Sequence, residues 1–316
     1  MSKQKQHIDT PPVFNNLVEN YEHLGLPVEL IDPNNDFTIH KLNDIHHELP
    51  YKSPVYRANF YSFLFVKNGH GKYTTDELEF CTEPGTIYFT NPGHYKSFEW
   101  RNLQEVFLVT MSESFLKENV HANIFEEFPF LLAETVPPRV LRPEEYAEFE
   151  PLYLQIYKEY FSHSPYKNKI MGNLFVVILL KIKEYFWKDY NPIYEGNRSS
   201  QIVKTFKRTL ERHYRELSTG KATKVFRPQD YAAAQNLHPS YLNNVIKTKT
   251  GKSVTTWIID KTITEAKSLL QNSGIPIKQI ADQLGFAESS HFSNYFKKYT
   301  DSTPVLYRKQ LGNTVN

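Results

Sequence analysis

The chain has almost no cysteine, and this absence removes several ways of holding a protein together. Cys81 is the only cysteine among 316 residues. Neither a disulfide framework nor a zinc site built on cysteine thiolates is therefore expected, and a reducing compartment suits such a composition. Cys81 itself is expected to be a small packed side chain and not a nucleophile.

Features of membrane or secreted proteins are missing as well. The most apolar run, Leu174–Leu180, is far shorter than the roughly 20 residues that cross a bilayer. The first twelve residues are polar and contain no apolar signal core. We therefore expect a cytoplasmic protein without a membrane partner.

Charge is present, but it is distributed unevenly along the chain. Residues 201–316 contain 18 Lys and Arg against 8 Asp and Glu, while the other 19 basic and 27 acidic residues lie in 1–200. The formal net charge of +2 conceals this asymmetry. The length predicts two or three domains, and the basic part is suited to contact with phosphate groups.

The first half predicts a tail over residues 1–35, with a short amphipathic piece near Phe14–Leu24, and then a β-domain over 36–142. Short aromatic and β-branched runs in this domain are separated by Gly and Pro turns, which favours a small antiparallel barrel or jelly roll. The runs are Phe60–Val66, Thr86–Phe89 and Glu105–Val109, and the first is followed by an expected turn at Lys67–Gly71.

Helical periodicity begins at Pro143. Apolar residues recur at spacings of three and four from Phe149 to Tyr160 and again from Ile170 to Ile182. We expect two long helices over 143–190 that cover one side of the barrel and leave an apolar stripe for a second subunit. Residues 191–200, with Asn-Pro and Gly-Asn pairs, predict a linker.

Residues 201–311 contain one helix-turn-helix pattern written twice, about fifty residues apart. Each copy has a small residue where two helices cross, an apolar plug in the turn, and apolar residues four apart on the second helix. Such a unit leaves the outer face of its second helix free to enter a major groove, so two units predict a sequence-specific DNA-binding protein. The matching pairs, with one extra residue in the second turn, are Ala232 and Ala281, Leu237 and Phe286, Leu242 and Phe292, Ile246 and Phe296, and Thr250 and Thr300.

A connecting helix is predicted between the two units, from about Val254 to Leu270, because apolar residues there are spaced by three and four. At ~1.5 Å per residue it would span roughly 25 Å. A rigid helix of this kind can hold two recognition helices in adjacent turns of one DNA face, about 34 Å apart.

Candidate base-contacting residues follow from the core positions of the two second helices. Asparagine can pair with adenine and lysine can reach guanine or phosphate, whereas short hydroxyl side chains contact fewer bases. On the first helix, about Pro239–Lys249, the outward residues are predicted to be Ser240, Asn243, Asn244 and Lys247. On the second they are Ser289, Ser290, Ser293 and Asn294, with Lys297 and Lys298 nearer the DNA backbone.

The second unit resembles the signature of the AraC/XylS class of bacterial transcription regulators. The resemblance runs over Ala266–Phe286 and continues through Phe292, Phe296–Lys298, Thr303-Pro304 and Tyr307-Arg308. It implies an α+β protein in which an N-terminal cupin-like antiparallel β-barrel with a two-helix dimerisation element senses a signal. It further implies promoter DNA as a partner, a homodimer, a small-molecule effector, and RNA polymerase as a candidate contact.

Three residues depart from the family pattern. Asp301 stands where the family usually has glycine, at a position that is expected to need a left-handed backbone. Gln235 occupies a place that is usually leucine, which is expected to loosen packing of the first unit. Asn294 stands where arginine is common, and this shortens the reach toward guanine or phosphate.

Two other classes of protein are weighed against a regulator. A cupin-type metal enzyme with an appended DNA-binding domain would need a His-x-His pair, which the chain lacks; adjacent histidines on a strand would point to opposite faces. An architectural DNA binder would leave the first 200 residues without a role. We expect no catalysis, no metal and no cofactor. The histidines in question are His40, His46, His47, His70 and His94.

Overall fold

The computed structural model describes residues 11–31, 36–46, 48–76, 78–120, 124–132, 136–187, 198–271 and 274–313. Within these residues an N-terminal sheet domain (11–142) is followed by a helical pair and by a C-terminal helical domain (198–313). The predicted α+β class is confirmed at this level. The predicted linker falls mostly on residues 191–197, which lie outside the described residues, and Arg198–Ser200 already belong to a helix.

All strands of the described residues belong to one sheet. They are β1 (Val13–Phe14), β2 (Phe37–Lys41), β3 (Tyr51–Lys52), β4 (Tyr56–Ala58), β5 (Tyr61–Thr75), β6 (Leu78–Thr82), β7 (Thr86–Thr90), β8 (Tyr95–Met111) and β9 (Arg139–Val140).

The described helices begin in the sheet domain and dominate the rest of the chain. They are α1 (Leu17–His23), α2 (Glu113–Phe115), α3 (Ile124–Glu127), α4 (Pro143–Tyr146), α5 (Glu150–Tyr160), α6 (Lys167–Trp187), α7 (Arg198–Ser218), α8 (Pro228–Ala233), α9 (Pro239–Thr250), α10 (Val254–Leu270), α11 (Ile277–Gln283), α12 (Ser289–Thr300) and α13 (Pro304–Asn313). A π-helical turn, Leu116–Val120, follows α2. None of the described helices is long and apolar enough to cross a bilayer.

Two long strands, β5 and β8, organise the sheet. They pair with each other antiparallel along most of their length, and each takes other partners at its two ends. β5 pairs with β7 near its start and with β6 near its end, while β8 pairs with β3 and β4 near its start and with β2 near its end. Bulges in the β5–β8 ladder between Val66 and Gly71 bend both strands.

The alternation of side chains along β5 separates two hydrophobic cores. Phe63 and Phe65 lie in the core shared with α5 and α6, while Leu64 and Val66 lie in the core on the opposite face of the sheet. This second core is filled by aromatic side chains, including Trp100. The space that remains there is about 30 Å³, roughly enough for one water molecule.

Two expectations for the first half are wrong. The Gly-rich segment Lys67–Gly71 is not a turn, because β5 continues through it to Thr75. A Cβ atom on Gly71 would lie 2.6 Å from the carbonyl oxygen of Glu99, so glycine is needed there for close strand approach. The amphipathic piece predicted near Phe14–Leu24 is present as α1, but the segment is packed and not a free tail: β1 pairs with β4, and Leu17 and Tyr21 of α1 are buried.

Both long helices of 143–190 are present as α5 and α6, and α4 begins at Pro143 as predicted. One face of the pair packs on the sheet through residues such as Tyr153 and Phe175. Leu154, Ile170, Val177 and Leu180 remain between 37% and 45% exposed on the other face.

Candidate nucleic-acid interface

The first helix pair, α8 and α9, is closed by a tight turn. Asp230 accepts a hydrogen bond from the backbone amide of Arg227 at 2.7 Å and caps the start of α8. Asn236 has a left-handed backbone, φ 53°, which brings the amide of Leu237 within 2.9 Å of the carbonyl of Ala232. Ala232 is fully buried where the helices cross. The second helix of the pair, α9, starts with Pro239 in its first turn.

The second helix pair, α11 and α12, repeats these contacts. Gly285 takes the left-handed position with φ 74°, and the amide of Phe286 donates to the carbonyl of Ala281 at 2.9 Å. Phe292 and Phe296 of α12 are fully buried. Ala281, Phe286, Phe292 and Phe296 are the counterparts predicted from the repeat, so the sequence alignment of the two copies corresponds to one geometry.

The connecting helix α10 has the predicted bounds, Val254–Leu270. Ser253 caps it by accepting a hydrogen bond from the amide of Thr256 at 3.1 Å. The N-terminal end of α10 packs in the core of the first helix pair and its C-terminal end in the core of the second, represented by Trp257 and Leu270. One rigid helix therefore fixes the two pairs relative to each other.

The outer face of α9 carries three of the four predicted residues in exposed positions. Ser240, Asn244 and Lys247 are exposed to solvent. Asn243 does not face outward as expected: it is half-buried, and its Oδ1 accepts a hydrogen bond from the amide of Val254 at 3.1 Å. Its side chain thereby joins α9 to the first residue of α10.

The outer face of α12 is similar but has shorter polar groups. Ser290, Asn294, Lys297 and Lys298 are exposed, and Ser289 and Ser293 are half-buried. The hydroxyl of Ser293 donates to the carbonyl of Ser289 at 2.8 Å, within the same helix, and that of Ser290 donates to Glu288 at 3.0 Å.

Two further residues on these faces were missed by the sequence analysis. Tyr241 is 43% exposed in the first turn of α9, and His291 is exposed at the equivalent place in α12. The offset of fifty residues that pairs Leu242 with Phe292 also pairs Tyr241 with His291. The repeat thus contained the signal, but attention to short polar and basic side chains passed over both rings.

The sheet domain contacts the C-terminal end of α9 directly. The guanidinium of Arg57, on β4, donates from Nη2 to the carbonyl of Thr248 at 3.0 Å and lies 3.8 Å from the centre of the Tyr95 ring. A cation at this place is favourable because the carbonyl end of a helix carries partial negative charge. Gly93 approaches so closely that a Cβ there would lie 3.1 Å from the Cα of Thr250.

A group of five charged residues, two buried lysines and three half-buried glutamates, forms a second contact between the domains. Lys117 lies 2.5 Å from Glu265 and 3.2 Å from Glu211, and Lys261 bonds the same two carboxylates. Glu113 lies 3.8 Å from both lysines. Burial alone would raise the pKa of Glu265, but the two ammonium groups outweigh it and lower that pKa to about 2. The same carboxylates raise the pKa of Lys117 against the effect of its burial.

His47 lies outside the described residues, and the other four histidines of the sheet domain lie apart from one another. His40 is buried on β2, and burial lowers its pKa to about 4. His94 lies 2.7 Å from Asp76. His46 follows a short 3-10 turn and its ring lies 4.1 Å from that of Tyr51, tilted by 32°, while His70 lies on β5. Among the described residues no three His, Cys, Asp or Glu side chains are grouped as in a metal site. Cys81 was expected to be packed, but it is exposed.

Comparison with known proteins agrees with the presence of helix-turn-helix geometry in the C-terminal domain. Residues 231–310, which contain most of both helix pairs, match a helix-turn-helix domain family. The Msm operon regulatory protein of Streptococcus mutans is 27% identical over 145 residues, and the match covers 46% of this chain and about half (48%) of that protein. The arabinose operon regulatory protein of Escherichia coli is 25% identical over 257 residues, covering 78% of this chain and 80% of the relative.

Two solved structures are also similar. ToxT from Vibrio cholerae O395 is 16% identical, with a TM-score of 0.34 over 87% of this chain and 98% of ToxT. The DNA-binding domain of AdpA, in complex with a target DNA, is 19% identical with a TM-score of 0.30, over 36% of this chain and 93% of that domain. At scores below 0.5, these likenesses add no weight to the assignment.

The helix-turn-helix domain and the regulator relatives define the class: this chain is a DNA-binding transcription regulator. More narrowly, the matched helix-turn-helix domain and the operon-regulator relatives agree with the resemblance to the AraC/XylS family over Ala266–Arg308.

Proposed function

We propose that the chain binds operator DNA with α9 and α12 acting as two recognition helices in successive major grooves. The observation that carries this proposal is the repeat itself: two helix pairs of the same geometry present exposed polar residues at equivalent positions, and α10 joins them rigidly. Ser240 and Asn244 of α9 correspond to Ser290 and Asn294 of α12. Lys247 and Lys297 are one turn further along and are suited to phosphate contact.

Of the ten residues that were predicted to contact DNA, we retain Ser240, Asn244, Lys247, Ser290, Asn294, Lys297 and Lys298 as direct contacts. We assign Asn243 to positioning, since its Oδ1 is already hydrogen-bonded. Ser289 is assigned to phosphate contact at the start of α12, and Ser293 to positioning, since its hydroxyl is bonded to the carbonyl of Ser289. Tyr241 and His291 join the set, because N-terminal residues of a recognition helix are those that approach base edges.

The experiment is a mobility shift of the full chain on labelled promoter DNA over a range of salt concentrations. If each helix pair neutralises several phosphates, the logarithm of affinity should fall with the logarithm of salt at a slope of several. Lys298→Ala should lower that slope by about one and weaken all sequences alike. An affinity that does not change with salt concentration would contradict the proposal. So would an affinity that does not depend on DNA sequence when competitor DNA is in excess.

The remaining features are assigned to control of this binding. We propose that the sheet domain is a cupin-like sensory barrel that responds to a small-molecule effector or to a contact. We further propose that the chain acts in the cytoplasm, with RNA polymerase as a candidate partner.

Homodimer formation is assigned to α5 and α6, because Ile170, Val177 and Leu180 lie on one exposed stripe of α6. Val177→Glu should convert a sedimenting dimer into a folded monomer. Wild-type chain that stays monomeric at tens of micromolar would oppose this assignment.

A further inference from the structure

The core of the proposed barrel has too little space for a metabolite, but a larger cavity lies elsewhere. The cavity in this aromatic core, beside Tyr73 and Phe98, is about 30 Å³. A cavity of about 420 Å³ lies instead between the sheet domain and the helical domain. This volume falls within the range of roughly 300–1,000 Å³ that is common for small-molecule sites.

The wall of this interdomain cavity is rich in acceptors. Among the described lining residues, the charged groups are the carboxylates of Asp36, Glu113 and Asp260 and one ammonium, that of Lys252. One buried acceptor atom, Oδ1 of Asn59, receives no hydrogen bond from the described residues, whereas Oε1 of Glu113 faces the ammonium groups of Lys117 and Lys261 at 3.8 Å. Since buried acceptors are costly when unpaired, the cavity favours a ligand that donates.

The chain already shows what kind of group this wall attracts. The ammonium of Lys252 lies 2.6 Å from the carboxylate of Asp260 and 5.6 Å from the centre of the Trp257 ring. A carboxylate together with an aromatic face is a favourable setting for an amine cation. The acceptors of Asp36 and Asn59 offer further positions of this chemistry.

We propose that the interdomain cavity binds a small organic cation, an aliphatic amine or diamine, through Asp36, Asn59 and Asp260. The site is divided between the domains: Asp36 and Asn59 belong to the sheet domain, while Asp260 lies on α10 and Tyr299 near the end of α12. A bound cation therefore holds the helical domain against the sheet domain. Its effect on operator affinity rests on the proposed function; binding itself does not.

The test is isothermal titration of the full chain, without DNA, using putrescine and its uncharged analogue 1,4-butanediol. Putrescine should bind one-to-one with a dissociation constant of about 1 mM or tighter, and butanediol should not. Asp36→Asn and Asp260→Asn should each weaken binding about five- to tenfold, while Glu144→Gln, outside the cavity, should not. Asn59→Asp should tighten it by adding a carboxylate.

Three results would each overturn the proposal. One is equal binding of the diol, and another is the absence of amine binding up to about 10 mM, the limit for a weak ligand. The third is unchanged binding in Asp36→Asn and Asp260→Asn. Circular dichroism of each variant checks that it is folded. Operator binding measured separately without amine tests the proposed function, so the two failures are distinguishable.

Discussion

Gly251 and Asp301 occupy the same place after the two second helices, and both have left-handed backbone, with φ of 74° and 57°. The amide of Gly251 donates to the carbonyl of Lys247 at 2.9 Å, and that of Asp301 donates to the carbonyl of Lys297 at 2.9 Å. Glycine adopts this conformation without strain, whereas an aspartate does so at a cost and also places negative charge at the carbonyl end of a helix.

Asp301→Gly should therefore raise the free energy of unfolding by about 1 kcal/mol. The matched change, Gly251→Ala, should lower it by more than about 1 kcal/mol, because a Cβ there is strained and would lie 3.0 Å from Cδ of Arg57. Urea denaturation of both variants measures the pair. A loss of stability in Asp301→Gly would show that Asp301 makes a compensating contact.

The two neighbouring asparagines of α9 should behave differently. Asn244→Ala should cost about 1–3 kcal/mol of binding at one base position and relax preference there, with little change in stability. Asn243→Ala leaves the amide of Val254 without its partner and should cost about 1 kcal/mol of stability while base preference is kept. Affinities on single-base operator variants, beside denaturation curves, measure both. The opposite pattern would return Asn243 to the base-contacting residues.

The five charged residues between the domains, Glu113, Lys117, Glu211, Lys261 and Glu265, are expected to affect the free energy of unfolding, because they are shielded from solvent. Lys261 and Lys117 are each 2% exposed in their side chains, so Lys261→Met leaves three carboxylates with one ammonium in a buried setting. A loss of about 3–5 kcal/mol is expected. Lys278→Met, at an exposed position of α11, is the matched control and should change stability little. Similar curves for the two variants would mean that solvent reaches the charge group.

Acid should weaken the same charge group. The pKa of Glu265 is lowered from 4.5 to about 2 in the folded chain. The folded state therefore binds fewer protons than the unfolded state between these values, so the contribution of Glu265 is present above pH 4.5 and is lost as pH falls toward 2. Glu265→Gln should flatten this part of the stability profile. An unchanged slope between pH 4.5 and 3 would argue against the ion pairs.

Lys96 predicts a pH dependence of the same sign in a higher pH range. Its ammonium is buried and donates to the hydroxyl of Thr90 at 2.6 Å, and burial lowers its pKa from 10.5 to about 7. Between pH 7 and 10.5 the unfolded chain binds a proton that the folded chain lacks, so stability should rise with pH, by up to about 1.4 kcal/mol per unit. Lys96→Met should remove this rise, and Lys52→Met, at an exposed position, should keep it. Parallel profiles for all three chains would contradict the assignment.

The helical domain was predictable from the sequence because its contacts are local and occur twice. The small residue, the plug and the four-residue spacing each recur at a fixed offset, and this recurrence located both turns and the bounds of α10. The left-handed conformation of Asp301 was also predicted, since the family usually has glycine at that position.

The sheet domain was less predictable because its decisive contacts join distant residues. Gly71 has the local appearance of a turn, yet its purpose is the close approach of Trp100 on a strand almost thirty positions away, as the 2.7 Å from a built Cβ to that ring indicates. Asn243 is a similar case, because its partner, Val254, lies in the next helix. Periodicity shows which face a residue occupies but not which distant group meets it there.

The central claim is that two recognition helices contact one face of operator DNA about one helical turn apart. Selection of random-sequence duplexes by the purified full chain measures this most directly. The account predicts two preferred blocks whose centres are about 10 base pairs apart, with affinity falling to that of a single block when 5 base pairs are inserted between them. A single preferred block, or affinity that is indifferent to the insertion, would contradict it.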